Sequence, residues 1–367
     1  MPSSRRQWIR QSSLAFAGLG FASEIFAREA KPFFSPITKQ ILLNSNENAY
    51  GPSPMARRAV MENYLNSNRY PDDYIPGFKK KIAAHWNVDT NNILFGAGSS
   101  DIIGLAAHHV SSNKGHIITG DPAYRVWNGQ AENFGLSFNR IPLNQNRVHD
   151  LDKMLSSITS ETTMVYVCNP NNPTGTVNAI DELRRFAEEA SKKTFVFIDE
   201  AYTEYAGLPS LAYLAVTNKN ILVAKTFSKI YGLAGARVGY AIAHADTINT
   251  LSKYQPWPDA GVSVVSAAAA SASIDDTAFI QSCRANAAKA REICYSTFAD
   301  RKLEYIPSQT NFILFNIDSI KKDFVKEMEA QNIYVQFRGH FGGKWCRVSM
   351  GTVEEMQQFC AVLKTLA

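Results

Sequence analysis

Lys229 stands in a polar turn, Thr226-Phe227-Ser228-Lys229, between two apolar runs at 221–224 and 238–243. A lysine held there beside Phe227 and Tyr231 can lose part of its solvation, which makes its amine a better nucleophile toward a carbonyl. Further along the same stretch, Arg237 offers a planar fork of donors suited to a phosphate. Three distant stretches carry matching chemistry. The run 195–199 is apolar and ends in Asp199, and a carboxylate buried at a strand end calls for a cation beside it. Gly96-Ala97-Gly98-Ser99-Ser100 lets the backbone approach an anion closely, with Ser99 or Ser100 placed to cap the helix that follows and free amides at its start. Asp101 replaces the third glycine of a dinucleotide fingerprint, so the turn is not read as a Rossmann site. Cys168-Asn169-Pro170-Asn171-Asn172-Pro173-Thr174-Gly175 is a longer polar string than a simple turn requires.

A lysine alone is more often a solvated surface charge, and it is the ordered set that narrows the reading. In this order the four motifs resemble the fold-type I aminotransferases, and among them the histidinol-phosphate aminotransferase branch, from about residue 41 to the C-terminus. The resemblance implies pyridoxal 5'-phosphate as cofactor. Lys229 would hold it covalently, Asp199 would face its ring nitrogen, and Asn172 and Tyr202 would bind its ring hydroxylate. Tyr124 would stack on the ring. Ser99, Ser100, Thr226, Ser228 and Arg237 would cradle the phosphate, joined by Tyr70 from a partner subunit. On the substrate side it implies Arg347 for the α-carboxylate, Arg338 for a distal phosphate, and Asn48 and Asn311. Lys229, Asp199 and Tyr202 form the catalytic set. The reaction implied moves an amino group between an amino acid or amine and a 2-oxo acid, in a homodimer with shared sites. The motifs alone also admit an amino-acid decarboxylase or oxidase on the same fold. A non-catalytic ligand-binding protein is a further alternative, disfavoured by retention of Lys229, Asp199 and Arg347. The stretch around Trp257, Pro258 and Asp259 departs from the branch pattern, and Asp259 predicts a pocket wall that accepts a basic or polar amine.

The net charge of +5 is modest, and the first thirty residues hold Arg5, Arg6, Arg10 and Arg28 against Glu24 and Glu29. No basic run persists beyond them, so nucleic-acid binding finds no support. Hydrophobic content of 45% with 19% charged residues describes a folded chain, not a disordered one. Five cysteines match no zinc or redox spacing, so no metal is expected. Residues 1–30 resemble a twin-arginine export signal, Arg5-Arg6-Gln7-Trp8-Ile9, followed by a run too weakly apolar for stable membrane insertion. A periplasmic or exported location follows from that resemblance, with the cytoplasm as the alternative. Export would set the chain apart from histidine biosynthesis and argues against histidinol phosphate itself as substrate.

The elements that must position these residues read as α/β. Apolar strands at 164–167, 194–199, 221–224 and 238–243, with a helix at 180–191, predict a mostly parallel seven-stranded-type sheet covered by helices, with polar motifs at the strand ends. A helix is expected over 150–161. From about residue 275 the pattern becomes a smaller α+β domain. The expected division is signal 1–30, an N-terminal arm 31–65 joining the small domain, a large cofactor-binding domain 66–270 and a small C-terminal domain 271–367.

Overall fold

The computed structural model describes residues 40–259 and 261–367; the expected signal segment lies outside them, as does the first part of the arm. The strands in chain order are β1 (Ile41–Leu42), β2 (Ile93–Gly96), β3 (His116–Asp121), β4 (Ser137–Pro142), β5 (Thr162–Cys168), β6 (Phe195–Asp199), β7 (Ile221–Thr226) and β8 (Gly239–Ala243). Then come β9 (Tyr305–Ile306), β10 (Phe312–Asn316), β11 (Ile333–Tyr334), β12 (Gln336–His340) and β13 (Gly343–Ser349). The large sheet has seven strands in the order β2-β8-β7-β6-β5-β3-β4. β7, β6, β5, β3 and β4 run parallel, and β8 is antiparallel to both its neighbours.

Continuous burial explains why the central strands are apolar throughout: every residue of β6, β7 and β8 is buried. Leu94, Tyr166, Phe197 and Leu222 pack on one face under the helix Ser99–Val110, while Val165, Val196, Ile198 and Val223 pack on the other against the helix Ile180–Ala190. β4 is one of the two edge strands and mostly only half-buried, which is why no clear apolar run marks it. The parallel order brings the carboxyl ends of β3, β5, β6 and β7 to one edge, where the polar motifs meet.

The smaller sheet is antiparallel, in the order β12-β13-β10-β9. Its core of Phe298, Ile313, Phe315, Val348, Phe359 and neighbouring residues also holds Leu43 of the N-terminal strap. That strap is fixed by β1, which pairs in parallel with β11.

Two expectations require adjustment. The helix expected over 150–161 spans only Leu151–Ser156. The Ser156 and Ser157 hydroxyls both donate to the Lys153 carbonyl, and Thr162 Oγ1 accepts from Thr159 N, so side chains compete with the ladder and stop it. The helix Val264–Asp275 runs across residues 270 and 271, where a domain boundary was expected. Its buried alanines pack with Ala56 and Phe78 in one core, so this Ala-rich run is core, not linker.

Candidate active site

The polar ends of β5, β6 and β7 meet the small sheet around a cavity of about 550 Å³. A second cavity of about 330 Å³ opens beside it, and Ser45, Ser99, Tyr124 and Lys229 line both.

Asp199 forms the floor of the larger cavity. It is 3% exposed, and it accepts from Tyr166 Oη at 2.7 Å and from Ala201 N at 3.0 Å. Among the described residues no cation lies within ion-pair distance of it. Burial raises its pKa, and the Tyr166 hydrogen bond opposes that rise.

Lys229 enters from the turn after β7. Its Nζ donates to the Ser45 carbonyl at 3.4 Å and lies 5.6 Å from the Tyr202 ring centroid. Burial, reinforced by Arg347, pulls its pKa down to about 8, against the attraction of Glu47 and Asp199. The Tyr202 hydroxyl accepts from Asn46 Nδ2 at 3.0 Å and from Asn172 Nδ2 at 3.3 Å. Burial raises the Tyr124 pKa to about 12, so that phenol stays protonated.

Arg347, on β13, is 6% exposed and donates to Asn172 Oδ1 at 2.7 Å, to the Asn44 carbonyl at 2.9 Å and to Gln336 Oε1. Its Nε is buried without a partner. Burial, with Arg338 nearby, lowers its pKa to about 10, which leaves it charged at neutral pH.

The smaller cavity collects Ser99, Ser100, Thr226, Ser228 and Arg237. The cap of the Ser99–Val110 helix is Gly98 at φ +86°, with no side-chain cap, so the seryl cap expected from the sequence is absent and the first amides stay open. A Cβ on Gly98 would lie 2.4 Å from the Arg237 guanidinium, and one on Gly239 would lie 2.4 Å from Ser99 N. Only glycine at both positions leaves room for the close approach. Arg237 donates to the Ala97 and Ala234 carbonyls, both at 2.9 Å, and to Ser100 Oγ at 3.2 Å.

Other expected residues fall elsewhere. Asn48 lines neither cavity; its amide donates to the Ile230 carbonyl at 2.7 Å and to Cys283 Sγ at 3.2 Å. Asn311 also lies outside both and pins the strap through the Asn46 and Glu47 carbonyls, each at 3.1 Å. Tyr70 is 75% exposed, with its ring edge-on to Trp257. Asp259 does not face the larger cavity, which overturns the pocket for a basic amine: its carboxylate is spent on Lys79 at 2.6 Å and on Phe95 N at 2.7 Å.

The sequence reading missed Gln336, His340, Arg125 and Tyr166. Arg338 and His340 alternate on β12, and a period-two reading of that strand would have put both on one face. Tyr166 sits in β5 directly before Val167 and Cys168, where a lone phenol in an apolar strand signals a buried acceptor.

The arrangement fits a flat, phosphorylated, cationic-ring aldehyde. The cradle offers amides and a guanidinium to a phosphate, the unpaired Asp199 wants a cation, and Lys229 presents a poised amine. Fold and site together are those of an aspartate aminotransferase-like α/β enzyme. A tetra mutant of Thermus thermophilus aspartate aminotransferase shares this fold, with a TM-score of 0.78 at 16% identity over 93% of this chain and 99% of that one. The chain belongs to the family described as aminotransferase class I and II, which matches residues 38–363, and it is a pyridoxal-phosphate-dependent transaminase. It is 33% identical to a histidinol-phosphate aminotransferase of Bacillus subtilis subsp. natto over 332 residues, covering 89% of this chain and 91% of that one. The histidinol-phosphate aminotransferase of Sinorhizobium meliloti, solved in complex with pyridoxal-5'-phosphate, superposes with a TM-score of 0.83 at 26% identity, covering 92% of this chain and 97% of that one.

Proposed function

We propose that this transaminase takes its amino group from a primary amine or amino acid that carries an anionic group at its far end, and passes it to a 2-oxo acid. The observation that carries the reading is the layout of the larger cavity. The Lys229 amine lies near the Asp199 floor, Arg347 stands beside Asn172, and Arg338 and Arg125 bring positive charge to the cavity wall beside His340. The relatives whose names include histidinol phosphate act on an amine ester of this kind.

Bound here, pyridoxal phosphate supplies an aldehyde that bonds amines and a ring that withdraws electrons from the adjoining carbon. Asp199 would hold the ring nitrogen protonated, with Tyr166 and Ala201 N fixing the carboxylate's orientation. Asn172 and Tyr202 would face the ring hydroxylate, and Tyr124 its plane. Ser99, Ser100, Thr226, Ser228 and Arg237 would take the phosphate. The Nζ of Lys229, with its pKa near 8, is poised as the base that removes the proton from the amine-bearing carbon and later returns it. Arg347 would grip the α-carboxylate of the 2-oxo acid in a bidentate fork.

The exposed apolar side chains Met61, Leu65, Tyr70 and Trp257 support a homodimer, in which Tyr70 would reach the neighbouring cradle. The Arg5-Arg6 signature supports export of the folded enzyme. The test is a spectral titration of the cofactor-loaded protein without acceptor. Donors bearing a distal phosphate or carboxylate should bleach the visible band stoichiometrically, at lower concentrations than neutral donors of equal size. A preference for neutral or cationic donors would sink the proposed donor class.

A further inference from the structure

Asp121 and Arg125 form an ion pair at the rim of the larger cavity. The two are carried differently. Asp121 is the last residue of β3, and its carbonyl accepts from Leu143 N at 3.1 Å, so the sheet holds its backbone. Arg125 belongs to the irregular stretch between β3 and the helix Asn128–Asn133, where its carbonyl accepts from Asn128 N at 3.0 Å within the local turn and not from the sheet. Their side chains are 39% and 44% exposed, and ion pairs as open as this are weakly held.

Arg338 and His340 line the same cavity from β12. Burial disfavours the protonated form of both, and the charge of Arg125 adds to it. His340 Nε2 is shielded from solvent and has no hydrogen-bond partner. The rim thus gathers two guanidiniums and an unused ring nitrogen against a single carboxylate.

We propose that Arg125 is a latch: Asp121 holds it in the free enzyme, and the distal anion of the amino donor takes it from Asp121, so that Arg125, Arg338 and His340 close around one phosphate or carboxylate. The inference rests on the anionic-donor reading above. An anion with two or three oxygens matches the arginine fork better than the single exposed contact it replaces. The free ring nitrogen of His340 can donate to a remaining oxygen in the appropriate tautomer. A neutral or cationic donor offers nothing to draw Arg125 from Asp121, so the latch discriminates by charge as well as by fit.

The experiment compares the cofactor-loaded wild type with R125A and D121N. It reads kcat/KM for two donors that differ only in a distal phosphate, together with calorimetric binding of inorganic phosphate. R125A should cut the preference for the phosphorylated donor by about tenfold and weaken phosphate binding. D121N, which frees the latch, should widen the preference and tighten phosphate binding severalfold. A fold defect cannot produce that second result. An unchanged preference and unchanged phosphate affinity in both variants, or weaker binding in D121N, would overturn the latch. If the wild type turns over neither donor, the donor reading fails, and the phosphate titrations still decide the role of Arg125.

Discussion

Lys225 and Lys229 leave the same strand within one turn of each other and end in opposite electrostatic states. Lys225 is 1% exposed, with Nζ 3.2 Å from Glu200, 2.7 Å from Glu204 and 4.7 Å from the Trp86 ring centroid. Those two carboxylates outweigh burial and hold its pKa above the usual lysine range. Among the described residues Lys229 has no carboxylate at ion-pair distance, so burial, reinforced by Arg347, outweighs the weaker attraction of Glu47 and Asp199 and its pKa falls to about 8. Two lysines four residues apart, one in β7 and one in the turn after it, thus become a permanent cation and a reactive amine. What separates them is which carboxylates the fold brings near.

The comparison can be broken most sharply at Lys229. Lys229→Ala should lower transamination by on the order of 10⁴-fold, with Lys225 unable to substitute. Residual activity near wild type in single-turnover assays would refute the assignment. Lys225→Met should instead act on stability. It strands Glu200 and Glu204, costing about 3–5 kcal/mol in urea unfolding, and a triple variant that also carries Glu200→Gln and Glu204→Gln should recover much of the loss. A smaller effect is expected at Tyr166→Phe. Losing a hydrogen bond to a buried carboxylate pushes the Asp199 pKa further up and should lower kcat by about tenfold to a hundredfold. The acidic limb of the pH profile should move toward higher pH, whereas a purely structural role would lower stability and leave kcat alone. The mildest test is reactivity. In the apoprotein, amine-selective labelling of Lys229 should rise with a midpoint near pH 8, because below it the amine is protonated and inert. Lys225 should stay unlabelled throughout, as peptide mapping would show. Arg347→Gln should move the Lys229 midpoint upward by removing a repulsive neighbour.

Lys229, Asp199, Asn172 and Arg237 were legible in the sequence because each sits at the end of an apolar strand or in its following turn. A parallel sheet necessarily brings such ends to one edge. Asn48 and Asp259 were misread because their neighbours in sequence say nothing of the Ile230 carbonyl or of Lys79, which meet them only through the fold. The outer wall was half legible. Arg338 was picked out, His340 could have followed from the alternation of β12, and Arg125 joins them only through the folded cavity. The Lys225 trio left a trace that could have been followed: a lysine inside an otherwise apolar strand, with Glu200 directly after Asp199 on the adjacent one.

The N-terminal strap carries a consequence for how the chain is made. Asn46 N donates to Ser349 Oγ across 303 positions, and the Asn46 side chain also holds the Tyr202 hydroxyl. Ile41 waits for Ile333, and Leu43 N for the Tyr334 carbonyl. The strap must therefore wait for partners made about three hundred residues after it. Until β11 and β13 emerge, Ser45 has no fixed place above Lys229, and the catalytic pocket cannot close. Chains that stop before Ser349 would lack a finished site, so the capacity to retain cofactor doubles as a check that translation has passed that point.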